Sequence, residues 1–209
     1  MAGVYFHMTC AVIVSMVVAM LVASSPAAMA FLFTGFMKWI VIFAPLAAIF
    51  IVTPLIHSSP SKPLALVALH GFAALMGLSL SAVLAVFTTL SIVSAFLGAA
   101  VLFGTMSIYG YFTKTNLDSI GKWLFVALIA IVITSIINLF IGSTALQMAL
   151  SAIAIVVFMG LTAYDVQNIR DTLSEGSEYN PVEVLGALSL YLNFINIFTS
   201  LLNLFGERD

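Results

Sequence analysis

The sequence predicts an all-α integral membrane protein, a bundle of seven transmembrane helices with the C-terminal helix at its centre, and three observations carry the prediction. Of 209 residues, 63% are hydrophobic and 7% are charged. Soluble domains carry roughly 45–50% apolar and about 25% charged residues, so the solvent for this chain is lipid. The apolar residues gather into seven runs, each near the roughly 20 residues that cross a bilayer. The last run, within Asn180–Asn203, also carries a polar line. Gly186, Ser189, Asn193, Asn196, Ser200 and Asn203 recur at steps of three and four, which keeps them on one helical face. Hydrocarbon offers asparagine amides no partner, so that face turns inward, toward other helices or water.

Span one covers about residues 4–23 and is followed by Ser24, Ser25 and Pro26. Ala28-Met29-Ala30 resembles a signal-cleavage site, but the first basic residue is Lys38. A signal peptide needs a basic region before its apolar core, so the run is expected to stay as a span. Span two, about 37–56, opens with Lys38 and Trp39 as interfacial anchors. It ends at the loop His57-Ser58-Ser59-Pro60-Ser61-Lys62-Pro63. Span three, about 64–87, carries His70, Ala74, Gly77 and Ser81 on one face. Span four, about 90–112, presents Ser91, Ser94 and Gly98. After a loop over residues 113–121 comes span five, about 123–141, with Ser135, Asn138 and Gly142 in line. Span six, about 145–169, ends in LTAYDVQNIR. The polar segment from Arg170 leads to span seven, about 182–204, which starts with Asn180 as cap, Pro181 at the first position and Glu183 placed to reach back. Small residues on facing stripes suit close packing of helices in lipid. The whole chain reads as a single transmembrane domain.

Charge sets the orientation. Lys62, Lys114, Lys122 and Arg170 fall on the side shared with the N-terminus, whereas Lys38 and Arg208 fall on the other. The positive-inside rule then puts the N-terminus in the cytoplasm and the C-terminus outside a cell (inner) membrane. The net charge of -2 says little, and no basic patch suggests a nucleic-acid partner, so none is expected. The lone Cys10 leaves no intramolecular disulfide.

Asp165 is the acidic residue that falls inside an apolar span. A carboxylate at a helix centre costs roughly 2.5–3.5 kcal/mol on insertion scales, and less near an end. Two readings stand side by side. In one, Asp165 reaches headgroups or caps a neighbouring helix. In the other, it is a buried titrating carboxyl that faces the stripe of span seven and handles protons or cations.

At these residues a resemblance enters. LTAYDVQNI and GALSLYLNFINIFTSLLNLFG resemble the C-terminal part of the Bax inhibitor-1, or transmembrane Bax inhibitor motif, family in its bacterial branch. VYFHMTCAVIV is similar to the opening of that family's first helix. The resemblance implies a seven-helix fold with the last helix central and a pH-sensitive calcium leak. For some bacterial members it also implies association with membrane-protease quality control. In the leak members an aspartate of the YD motif pairs with a second aspartate in the last helix. Asp165 matches the first, and Asn193 stands at the second. Two close carboxylates share a proton. An Asp–Asn pair has one titrating group and makes a weaker oxygen site for calcium.

Asp165 and Asn193 are therefore expected as pH sensor and gate, with Asp165 also a weak calcium ligand. Ser189, Asn196, Ser200 and Asn203 form the stripe beside them. His57 is a candidate gate partner, for which a solvated loop histidine is the simpler reading. His70 reads as a packing residue, His7 as interfacial, and Asn138 as interhelical glue. Asp171, Glu175, Glu178 and Glu183 read most simply as a solvated cytoplasmic loop, with attraction of cations to a pore mouth as the alternative. Counting 1.5 Å per residue from Asn180 puts Asn193 about 20 Å along its helix, deeper than Asp165. The pairing of these two follows from the resemblance and not from spacing.

Enzyme chemistry finds no matching residue set. An intramembrane aspartyl protease needs two carboxylates sharing a proton, and the last helix supplies no second aspartate. Gly77-Leu78-Ser79 has no convincing base, as a serine nucleophile would need. A retinal protein would need a lysine in the last helix. The expected functions are a non-enzymatic calcium leak, with calcium as the transported ion and no cofactor, or a non-conducting interaction protein whose partner is a membrane protease.

Overall fold

A computed structural model describes residues 1–173 and 181–208. Among them the helices are α1 (Ala2–Ala23), α2 (Pro26–Phe33), α3 (Met37–His57), α4 (Lys62–Leu84), α5 (Thr89–Phe112), α6 (Asp118–Ile141), α7 (Thr144–Leu173) and α8 (Val182–Phe205). All but α2 are long and apolar enough to cross a membrane, so the all-α, seven-span architecture stands. The short α2, unassigned in the sequence, starts where Pro26 follows Ser25, whose hydroxyl accepts from Ala28 N at 3.3 Å.

Three helices differ from expectation at their boundaries. Helix α4 starts at Lys62 and ends at Leu84, earlier than expected at both ends. Helix α6 starts at Asp118, inside the expected loop, because Asn116 Oδ1 accepts from Asp118 N at 2.7 Å and closes the turn. Helix α7 runs on to Leu173, a full turn beyond the expected end at Ile169. The expected Asn180 cap, Glu175 and Glu178 lie outside the described residues.

The chain divides into two compact units. Residues 1–87 and 173–191 form one, and residues 88–172 and 192–208 form the other. In the first unit α1 packs on α4 at Gly77, where an added Cβ would meet Ser15 O at 2.6 Å. Ser15 Oγ donates to Ala73 O at 2.8 Å and lies 2.5 Å from the hydroxyl of Tyr191, which is fully buried. Pro45, within α3, has no N–H for the carbonyl of Val41, and Ser79 Oγ on α4 supplies that bond instead at 2.6 Å.

In the second unit Phe96 and Phe103 of α5 meet Phe194 of α8 edge to face, at 5.3 and 5.8 Å. Helix α6 ends at Gly142, whose φ of 69° suits a residue without a Cβ. Asn138, expected as interhelical glue, donates to Gln147 Oε1 on α7 at 3.3 Å and also clasps that turn, exchanging bonds with Ser143 N and O at 3.1 Å each. Helix α8 supplies residues to both units and is 67% buried over its span window, against 6–33% for the others. That burial is what a core helix requires.

Candidate functional site

Asp165 and Asn193 meet. Nδ2 of Asn193 donates to Oδ2 of Asp165 at 2.7 Å. Asn193 is 4% exposed, and Asp165 is partly buried. The depth mismatch inferred from the sequence closes because α7 is longer than expected. With α7 ending at Leu173 and α8 starting at Val182, the two residues lie about 12 and 16 Å from those ends at 1.5 Å per residue.

Among the described residues the rest of the stripe makes no hydrogen bond to the pair. Asn196 turns its amide back to Leu192 O of its own helix at 2.8 Å. Ser200 is buried, while Ser189 and Asn203 are partly buried. Ser189 belongs to the first unit and the others to the second. His57 ends α3 with its side chain exposed, and it belongs to the first unit, whereas Asp165 belongs to the second. His70 bonds Leu66 O through Nδ1 at 2.7 Å, the packing role expected of it.

One acidic group departs from its expected role. Glu183 is not a solvated acid. Its carboxylate takes both contacts of Lys62 Nζ, at 2.9 and 2.8 Å. His7, expected at the interface, is 12% exposed and lies 3.6 Å from Glu183 Oε1. Sequence reading also passed over Gln167, whose buried amide bonds the backbone at Thr115 and Leu117. The available signal was its place two residues after Asp165. Among the described residues no group of three or more His, Cys, Asp or Glu is placed to hold a metal ion. One carboxylate and one amide fall well short of the six to eight oxygens calcium takes in a resident site.

A family model described as inhibitor of apoptosis-promoting Bax1 matches residues 1–209. The chain belongs to the Bax inhibitor-1 family. Among its relatives, inner membrane protein YbhL of Escherichia coli K12 is 40% identical, over 100% of this chain and 91% of its own length. An uncharacterised protein of Caulobacter vibrioides is 34% identical, over 99% of this chain and 87% of its own. An uncharacterised membrane protein of Streptococcus pyogenes serotype M3 is 41% identical, over 66% of this chain and 61% of its own. With seven apolar helices and an inner-membrane relative matched end to end, this Bax inhibitor-1 family member is a multi-pass inner-membrane protein.

Proposed function

We propose that this Bax inhibitor-1 family member is a pH-sensitive calcium leak, without catalytic activity, gated by the Asp165 carboxyl. The observation behind the reading is the Asn193–Asp165 bond at 2.7 Å inside a span. Asn193 contributes no titrating proton, so the pair responds to pH through Asp165 alone. When Asp165 is ionised, the bond from Asn193 is charge-assisted and holds α7 to α8. When Asp165 is protonated, the bond becomes a neutral one, roughly half as strong. The link therefore weakens as pH falls, and flux should rise.

Calcium efflux from proteoliposomes, scanned between about pH 5.5 and 8.5, tests this. Wild-type flux should increase toward the acidic end, and Asp165→Asn should conduct at a rate independent of pH. A wild-type protein that conducts at no pH would sink the leak reading. A profile that survives Asp165→Asn unchanged would remove Asp165 from the gate.

The proposed orientation has the N-terminus in the cytoplasm and the C-terminus outside, on the strength of four basic residues against two. Alkaline phosphatase fused after Arg208 should be active, and green fluorescent protein fused there should stay dark. The reverse result would invert the topology.

The second reading, a non-conducting partner in membrane-protease quality control, draws support from α6. Its span window is 6% buried, with Trp123, Phe125, Ile133 and Phe140 among its exposed side chains. Absent flux together with a protease that co-purifies until this face is altered would favour it.

A further inference from the structure

Asp165 sits on a stretch of α7 that is tied down on both sides of it. Toward the N-terminus, an added Cβ at Gly110 of α5 would strike the backbone of Ala163, and the ring of Tyr164 lies against Gly121 of α6. Toward the C-terminus, Gln167 is 7% exposed and uses both ends of its amide. Its Oε1 accepts from Leu117 N at 2.9 Å, and its Nε2 donates to Thr115 O at 2.8 Å. One turn further, Arg170 Nη1 donates to the carbonyl of Tyr111. The connection between α5 and α6 is thus fastened to the helix that carries the carboxyl, two residues from it. A buried amide satisfied at both ends is costly to move, because shifting it orphans two backbone groups as well as its own.

We propose that Gln167 is a positioning residue for Asp165. By fastening the connection 113–117 to α7, it holds the carboxyl at bonding distance from Asn193. The connection, exposed at Lys114, Thr115 and Asn116, thereby tunes the pH response. This inference rests on the leak reading. The charged and titratable groups carried at this end of the unit are Tyr164, Arg170 and Asp171 on α7, Tyr109 and Tyr111 on α5, Lys114 on the connection, and Asp118 and Lys122 on α6. Helix α8 brings none between Leu192 and Phe205. Loosening the mount weakens the Asn193 bond. That bond favours the ionised, closed form, so a loosened protein opens at higher pH.

The experiment is the same proteoliposome calcium flux, with Gln167→Met and Asn116→Gly. The methionine keeps the length of the side chain and removes both bonds. The glycine loosens the connection from its own side, by deleting the 2.7 Å bond from Asp118 N without touching α7. Half-maximal flux should move to higher pH by about half a unit or more in Gln167→Met, and in the same direction by less in Asn116→Gly. A role limited to stability would lower the melting temperature and leave the midpoint in place. A folded Gln167→Met protein with the wild-type midpoint overturns the proposal. Should that variant not fold, an unmoved midpoint in Asn116→Gly overturns it instead. Asp165→Asn measured alongside separates the two failures. If it keeps the wild-type pH profile, the leak reading has fallen and the positioning role with it. If it abolishes the profile while the other two variants keep the midpoint, the positioning role alone has fallen.

Discussion

Gly110→Val is expected to leave no folded protein. A Cβ at this position would lie within 3 Å of the Cα and carbonyl carbon of Ala163 and against its carbonyl oxygen. These are backbone atoms of a facing helix, which have no rotamer by which to give way. Overpacking of a core costs about 1–3 kcal/mol where side chains can adjust, and here the helices themselves must part. Parting them would also strain the Arg170 bond to Tyr111 and the Gln167 bonds to the α5–α6 connection. Gly104, on the same helix, has nothing within 4 Å of its would-be Cβ. Gly104→Ala should therefore gain up to about 1 kcal/mol from helix propensity. Fluorescence-detected size-exclusion before and after heating compares the two. Equal behaviour would show that the contact with Ala163 is not close in the protein.

The second large effect is expected at Tyr191. It heads the largest fully buried side chains, lies edge-on to Phe72 with ring centroids 6.2 Å apart, and meets Ser15 Oγ through its hydroxyl. Tyr191→Ala should destabilise the protein by about 3–5 kcal/mol, the range for emptying a buried aromatic site. In lipid this loss is chiefly one of packing contacts, because no water is excluded. Tyr191→Phe keeps the ring. Ser15 retains the carbonyls of Ala11 and Ala73 as acceptors, so this change should cost only about 1 kcal/mol. Thermal unfolding in detergent measures both. Similar losses for the two substitutions would mean that the hydroxyl, and not the ring, holds α1, α4 and α8 together.

The spans were legible because lipid imposes a simple demand on composition, and the inward face of α8 because asparagines at helical spacing admit one orientation. Asp165 was legible as a misfit in its span. Its contact with Asn193 was not, since an estimate of depth needs the extent of α7, and the helix runs on to Leu173 through polar residues that carry no apolar signal. The polar ties were hidden because they join residues far apart in the chain. Lys62 and Glu183 are 121 residues apart, Ser15 and Tyr191 are 176 apart, and Gln167 reaches back 50 residues to Leu117. No local pattern marks such pairs. Glu183 was misjudged because it looks solvated by position, and its ion pair with Lys62 comes from another helix. Asn138 shows the converse. Its spacing suggested a helix-to-helix contact, and its amide donates to Gln147 Oε1 on α7 as well as to Ser143 O in the turn at Gly142.

The place of α8 in the chain bears on biosynthesis. It follows every other span in sequence, yet residues 182–191 complete one unit and residues 192–205 complete the other. Chains grow from the N-terminus and ordinarily fold their parts as they emerge. Here α1–α4 enter the bilayer without Tyr191 for Ser15 or Glu183 for Lys62, and α5–α7 enter without Asn193 for Asp165. Both units therefore wait on the same closing segment. A nascent chain held up before α8 carries unpaired polar groups within the membrane, the condition by which an unfinished membrane protein is told from a finished one.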